Sequence, residues 1–305
     1  MAKYITKRVL IGILTLFVLT TATFFLAKAT PGSPFSAERY RNEEAREKAM
    51  AKYNLDKPVM EQYFLYLQGI TEGDLGESYI QQGRTVNYYI EEGFPVTARL
   101  GSIAFIIALI AGIGIGTGAA LSKKRWINNV CMFIATIGVS IPSFLIALLL
   151  QLFIGVQLGL LPFIGLYGPE YYIMPAFSLA LYPIAMIARL TRSSLLEVMR
   201  QDYIVLARSK GTPYRMVVLR HALKNAMLPV ITYAGPMFAF LLTGSFVVET
   251  IYSIPGIGAT FVQCVVNRDY PLIMGMTIFL GFIIITFNIL TDLISAAVDP
   301  RIKLK

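Results

Sequence analysis

Apolar residues in this chain come in runs as long as a bilayer is thick, and that length restricts the fold more than any other feature. Crossing about 30 Å of hydrocarbon takes about 20 helical residues. Six stretches meet that need: 9–29, 100–121, 130–156, 173–190, 228–248 and 272–298. Of the 305 residues 56% are hydrophobic and only 15% charged, with a mean hydropathy of +0.63, too apolar for a soluble globule with a polar surface. The expected class is an all-α membrane protein built as one bundle of six helices.

Two stretches need comment. The fourth is short and contains Pro175 and Pro183, which membrane helices tolerate when neighbours satisfy the freed carbonyls. The first follows Lys3, Lys7 and Arg8, and Ala27-Lys28-Ala29 looks like a small-residue cleavage site. A signal h-region runs about 7–15 residues, whereas this run continues for a full membrane thickness, so a retained span is expected.

Basic residues orient the bundle. Lys3, Lys7 and Arg8 precede the first span, Lys123, Lys124 and Arg125 follow the second, and Arg301, Lys303 and Lys305 follow the sixth. Arg192, Arg200, Arg208, Lys210, Arg215, Arg220 and Lys224 lie between the fourth and fifth, while 157–172 has no Lys or Arg and 249–271 only Arg268. Both termini are therefore expected in the cytosol. The organisation that follows is a cytosolic N-terminus and first helix at 1–29, an extracytosolic cap or loop at 30–99, a five-helix core at 100–298 with a cytosolic connection at 193–225, and a cytosolic tail at 299–305. The net charge of +9 gathers beside the spans, where it sets topology and meets anionic lipid; nucleic acid is not an expected partner.

Other chemistry is thin. Cys131 and Cys264 fall on opposite sides of this topology, too far apart for a disulfide. His221 stands alone among cations, and a zinc site needs three or four converging ligands; it reads as a helix-surface residue. Gly114-Ile115-Gly116-Thr117-Gly118-Ala119 fits a loose dinucleotide fingerprint but lacks its strand–turn–helix setting. Gly112, Gly114, Gly116 and Gly118 instead suggest close helix approach.

Polar stripes mark inward faces. On the third span Thr136, Ser140, Ser143, Ala147 and Gln151 share one helical face, and on the sixth Asn288, Asp292 and Ser295 do. A carboxylate near a helix centre costs about 2.5–3.5 kcal/mol on insertion scales, so these stripes avoid lipid. They serve either a wet pathway or gate, or as polar glue between helices.

In the cap region, Tyr63, Phe64, Tyr66 and Leu67 offer apolar contacts and Gly73-Asp74-Leu75-Gly76 reads as a turn. The stretch 193–225 is too polar to span yet rich in helix formers, with Gly211-Thr212-Pro213 at its centre. Glycine suits the end of one helix, threonine can cap the next, and proline fits its first turn. Tyr203, Ala207 and Lys210 lie on one face of the first helix, where the alanine permits close approach and the tyrosine can anchor in a partner's groove. A basic loop that only fixes topology is the plainer alternative.

At these residues the chain resembles the permease subunits of ATP-binding cassette importers. Their docking loop carries a Glu-Ala-Ala then Gly pattern, which aligns with Val205, Leu206, Ala207 and Gly211; the glutamate and first alanine are replaced here. Residues 220–229, Arg220 to Pro229, look like the form used by the peptide-importer branch. Further motifs resemble the dipeptide, oligopeptide and nickel permease family: Ala29-Thr30-Pro31-Gly32, Leu55-Asp56-Lys57-Pro58, Gly73-Asp74-Leu75-Gly76-Glu77-Ser78, Ser253-Ile254-Pro255-Gly256-Ile257-Gly258, Arg268-Asp269-Tyr270-Pro271 and Asp299-Pro300-Arg301. Their order and spacing, with a long cap after the first span, are most like the oligopeptide B-type subunit.

The resemblance implies a six-helix type I importer permease in the bacterial cell membrane, with an extracytosolic cap after helix 1. It implies a second, homologous permease as heterodimer partner, two cytosolic ATPase subunits, an extracytosolic solute-binding protein and a peptide substrate. Docking then falls to Tyr203, Val205, Leu206, Ala207, Arg208, Lys210, Gly211, Thr212 and Pro213, and pathway or gate roles to Thr136, Ser140, Ser143, Gln151, Asn288, Asp292 and Ser295. The sequence lacks a phosphate loop ending in Gly-Lys followed by Ser or Thr, so the chain is expected to be no enzyme and to hold no cofactor, ATP and Mg being bound by its partners. Nickel-chelate and glutathione permeases are similar enough to stand as alternatives. A self-sufficient secondary transporter using Asp292 as a proton or cation relay, or a membrane scaffold for the cap, are the readings from other classes.

Overall fold

The computed structural model describes residues 2–30 and 43–298. The readings placed on Pro31, on Gly32 and on 299–305 lie outside the described residues. Among the described residues there is no strand, only an isolated antiparallel bridge between Glu77 and Thr85. Five helices there are long and apolar enough to cross a membrane, and six crossings result if a pair bent by 99° counts as one.

The first span is α1 (Ala2–Ala29), unbroken. Two short helices follow, α2 (Glu43–Lys52) and α3 (Val59–Thr71). The second span, α4 (Val86–Leu121), begins well before residue 100 and carries Pro95 internally. It thus takes in the last part of the stretch expected to be cap. Thr85 starts it by accepting a hydrogen bond from the Tyr88 amide. The third span is broken into α5 (Arg125–Ser140) and α6 (Ser143–Leu150), which runs on as a π-helical turn to Gln157.

The fourth span, level with the fifth at the lowest mean hydropathy of the five unbroken spans, 1.6, is α7 (Ile173–Val198). It is the most buried: 56% of its apolar window is inside the protein against 17–39% for the other four unbroken spans. A helix covered by other helices has less need of lipid-soluble side chains, and its small residues let neighbours close in. Gly112 of α4 lies against Ile187, and Gly116 lies against Ala188 and Thr191. At Gly114 and Gly118, on the other side of α4, an added Cβ would meet nothing within 4 Å.

After α7 come α8 (Asp202–Ser209), α9 (Tyr214–Met216), a π-helical turn (Val217–Ala222) and α10 (Leu223–Ala226). The fifth span is α11 (Leu228–Leu242), separated by Thr243-Gly244-Ser245 from α12 (Phe246–Ile251). Then α13 (Ile257–Asn267) leads into the sixth span, α14 (Tyr270–Val298). The main core lies between α4, α7 and α11, around Leu100, Ala104, Ala180, Ile187 and Leu241. At one end, α3 packs Tyr63 against Phe24 of α1 and Met274 of α14. Tyr66 and Leu67 join that cluster, while Phe64 turns outward and is 62% exposed.

Candidate functional site

Two helix breaks face a common cleft. Proline has no amide hydrogen and biases the residue before it to extended backbone; accordingly Ile141 and Pro142 are extended and α5 and α6 diverge by 99°. At the second break Gly244 has φ +84° and the Ser245 hydroxyl accepts from the Val248 amide to start α12. Between the breaks, α7 and α11 enclose about 670 Å³. Ser140, Ser143, Thr243 and Ser245 bring hydroxyls, Tyr182 and Tyr233 bring amphipathic rings, and no charged side chain lines the cleft. Irregular backbone inside a membrane is tolerated where it lines such a cavity.

The stripe expected on a continuous third span does not exist, because Pro142 bends it. Ser140 and Ser143 reach the cleft, but Thr136 and Gln151 do not. The Thr136 hydroxyl accepts from an Arg189 nitrogen at 3.1 Å, and the Gln151 amide donates to the Phe163 and Ile251 carbonyls at 3.0 and 3.1 Å. Nor do Asn288, Asp292 and Ser295 line the cleft. Asp292 pairs with Arg8 of α1 at 3.1 Å, and Ser295 is buried.

At the basic end, α8 closes in a Schellman motif. Gly211, at φ +78°, donates to Arg208 O at 2.9 Å, and Thr212 donates to Ala207 O at 3.3 Å. Threonine was expected to cap the next helix with proline in its first turn; instead Pro213 holds the cap position and α9 begins at Tyr214, so Thr212 is not the cap. Pro213 keeps non-helical backbone at φ −53° and ψ 136°, which sets the helix start one residue later. Ile204 is fully buried with Leu195, Val217, Ala222 and Ala226, and Ala207 packs partly against this core. The segment is therefore seated on the bundle. Its outer side leaves Tyr203, Val205, Leu206, Tyr214, Met216 and Leu219 between 41% and 56% exposed, interspersed with exposed Arg208, Lys210, Arg215 and Arg220. The Tyr203 hydroxyl accepts from Asn225 at 2.8 Å, and the Arg208 guanidinium sits 5.1 Å above the Tyr214 ring. Apolar surface rimmed by charge marks an interaction site.

The profile of the binding-protein-dependent transport system inner membrane component family matches residues 112–304, and that of its N-terminal region matches residues 1–101. The chain belongs to this family. The dipeptide transport system permease protein of Bacillus subtilis is 44% identical over 304 residues, covering 100% of this chain and 99% of the relative. The oligopeptide transport system permease protein of Salmonella typhimurium is 45% identical over 306 residues, covering 99% and 100%. Among solved structures, an inward-facing methionine ABC transporter aligns with TM-score 0.60 at 17% identity, covering 70% of this chain and 97% of that one. An amino acid ABC transporter with histidines aligns with TM-score 0.55 at 19% identity, over 68% and 93%. The fold of this family member is that of these importers' membrane subunits.

Two family motifs distant in sequence meet in this transport component. Ser78 donates its hydroxyl to Asp269, and the Tyr79 amide donates to the same carboxylate at 3.1 Å. Asp269 is 3% exposed, and burial raises its pKa above the usual carboxylate value despite these bonds. Sequence reasoning missed Tyr182, Tyr233, Thr243 and Ser245 as cleft residues. The signal was present for one break: Thr243-Gly244-Ser245 is a small polar trio inside an apolar run.

Proposed function

We propose that this chain is the membrane subunit of an ATP-driven peptide importer, forming half of the translocation pathway beside a second, homologous permease. The observation that carries the reading is end-to-end identity above 40% to dipeptide and oligopeptide permeases. The basic end faces the cytosol, by the positive-inside rule. There the 203–213 segment docks one of two ATPase subunits, which bind the ATP and Mg that this chain does not. The opposite end, with α2 and α3, meets a solute-binding protein. Nucleotide-driven closure of the ATPases biases the bundle between inward and outward access, a two-state element moved by a ligand bound elsewhere. In the cleft, uncharged hydroxyls and tyrosines suit a cargo whose common element is a peptide backbone and whose side chains vary.

The Gly211 turn tests docking. A Cβ there meets nothing within 4 Å, so Gly211→Asp leaves packing alone. It adds left-handed backbone strain, roughly 1–2 kcal/mol for an ordinary L-residue and less for aspartate, and a negative charge among the basic side chains. In the reconstituted complex, peptide uptake and stimulated ATP hydrolysis should both fall. Unchanged activity of Gly211→Asp refutes the assignment of the segment.

A further inference from the structure

At the cap end, α13 is tied at both of its ends through buried carboxylates, Glu249 of α12 at its N-terminus and Asp269 just past its own C-terminus. Its N-terminus is met by Glu249 of α12, fully buried, which accepts from the Ala259 amide at 3.2 Å and from the Thr97 hydroxyl of α4 at 3.1 Å. Thr97 in turn accepts from the Ile257 amide at 2.9 Å. Gly256 and Gly258 leave room for this carboxylate, since a Cβ on either runs into it. Its C-terminus turns through Arg268, left-handed at φ +56°, which brings Asp269 back to bond Cys264 O through its amide and Ser78 and Tyr79 through its carboxylate.

We propose that α13 is a strut that carries load between the cap and the cleft, with Asp269 and Glu249 as its positioning residues. One end grips the Glu77-to-Gln81 turn of the cap, where Ser78 also accepts from the Ile80 and Gln81 amides. The other grips α12, whose first residues Phe246 and Val247 are cleft wall. Eleven residues of helix make a rod of about 16 Å. Helical rods transmit displacement because their backbone bonds resist compression, and here both ends are fixed by charge-assisted bonds in a buried setting. This inference rests on the importer reading: it is the route by which a solute-binding protein seated on the cap affects the cleft.

The test is a double-mutant cycle in the assembled complex with its binding protein, using Ser78→Ala at one pin and Thr97→Val at the other. Each single variant should lower the ratio of binding-protein-stimulated to basal ATP hydrolysis by about 2- to 30-fold, with basal hydrolysis unchanged. The double variant should be no worse than the more impaired single variant, because either cut breaks the same line. Thr97→Ser, which keeps the hydroxyl, should restore the ratio. In addition, Ser78→Ala should speed hydrogen exchange at the amides of Ile257 and Ala259, although Ser78 touches only the far end of α13. Losses that multiply, a normal ratio in both single variants, or unaltered exchange at 257–259 would overturn the strut. A wild-type complex with no binding-protein stimulation would overturn the importer reading itself, and the strut with it.

Discussion

Gly112, Gly114, Gly116 and Gly118 of α4 give a sharp test of the packing, because the same substitution is expected to have opposite signs two residues apart. A Cβ at Gly116 would lie 2.5 Å from the Ala188 carbonyl oxygen and 2.7 Å from Thr191 Cβ; at Gly112 it would lie 2.7 Å from Ile187 Cβ and 3.0 Å from Ile184 O. Backbone oxygens cannot rotate away, so α4 and α7 must separate. Overpacking of this kind costs about 1–3 kcal/mol. At Gly114 and Gly118 a Cβ meets nothing within 4 Å, and alanine there gains up to about 1 kcal/mol in helix propensity. Thermal unfolding of the purified chain in detergent should therefore place Gly112→Ala and Gly116→Ala below wild type, by about 2–4 °C per kcal/mol. Gly114→Ala and Gly118→Ala should sit at or above it. If Gly114→Ala destabilises as much as Gly116→Ala, the helix pair is not built as described.

Two further predictions concern carboxylates. The Arg8–Asp292 pair is partly exposed, at 43% and 32% of the side chains, so its coupling energy should be small, about 0.2–1 kcal/mol, and exchanging the two residues should recover most of it. Asp292→Asn should leave uptake intact; a proton relay at Asp292 predicts abolished uptake at unchanged stability. For Asp269, the folded pKa is raised by burial, so its contribution is fully present below the unfolded value and lost as pH rises through the folded one. Limited proteolysis at the cap should slow as pH falls from neutral toward the carboxylate range, and faster cleavage on acidification contradicts the buried environment.

Span number and helix class were legible because apolar length is a property of single segments. The α4–α7 contact was half legible: four small residues announced a close neighbour, but which two glycines face it is decided by Ile184, Ile187, Ala188 and Thr191 of α7. The third span was misread as straight although Ile141-Pro142 stood in it, since a proline in a membrane helix is compatible with either a kink or a break, and packing chose the 99° bend. Asp292 was legible as unable to face lipid; its partner Arg8 lies at the other end of the sequence and could not be inferred from spacing. The family motifs around Ser78 and Asp269 were visible as separate strings, and their hydrogen bond exists only once α13 and α14 fold beneath the cap.

The most direct measurement of the central claim is uptake of a labelled oligopeptide into proteoliposomes holding either this chain alone or the complex with its homologous permease, ATPases and binding protein. The account predicts uptake that requires ATP and every partner, with none from this chain alone. Uptake by this chain alone, driven by an ion gradient without ATP, would contradict it.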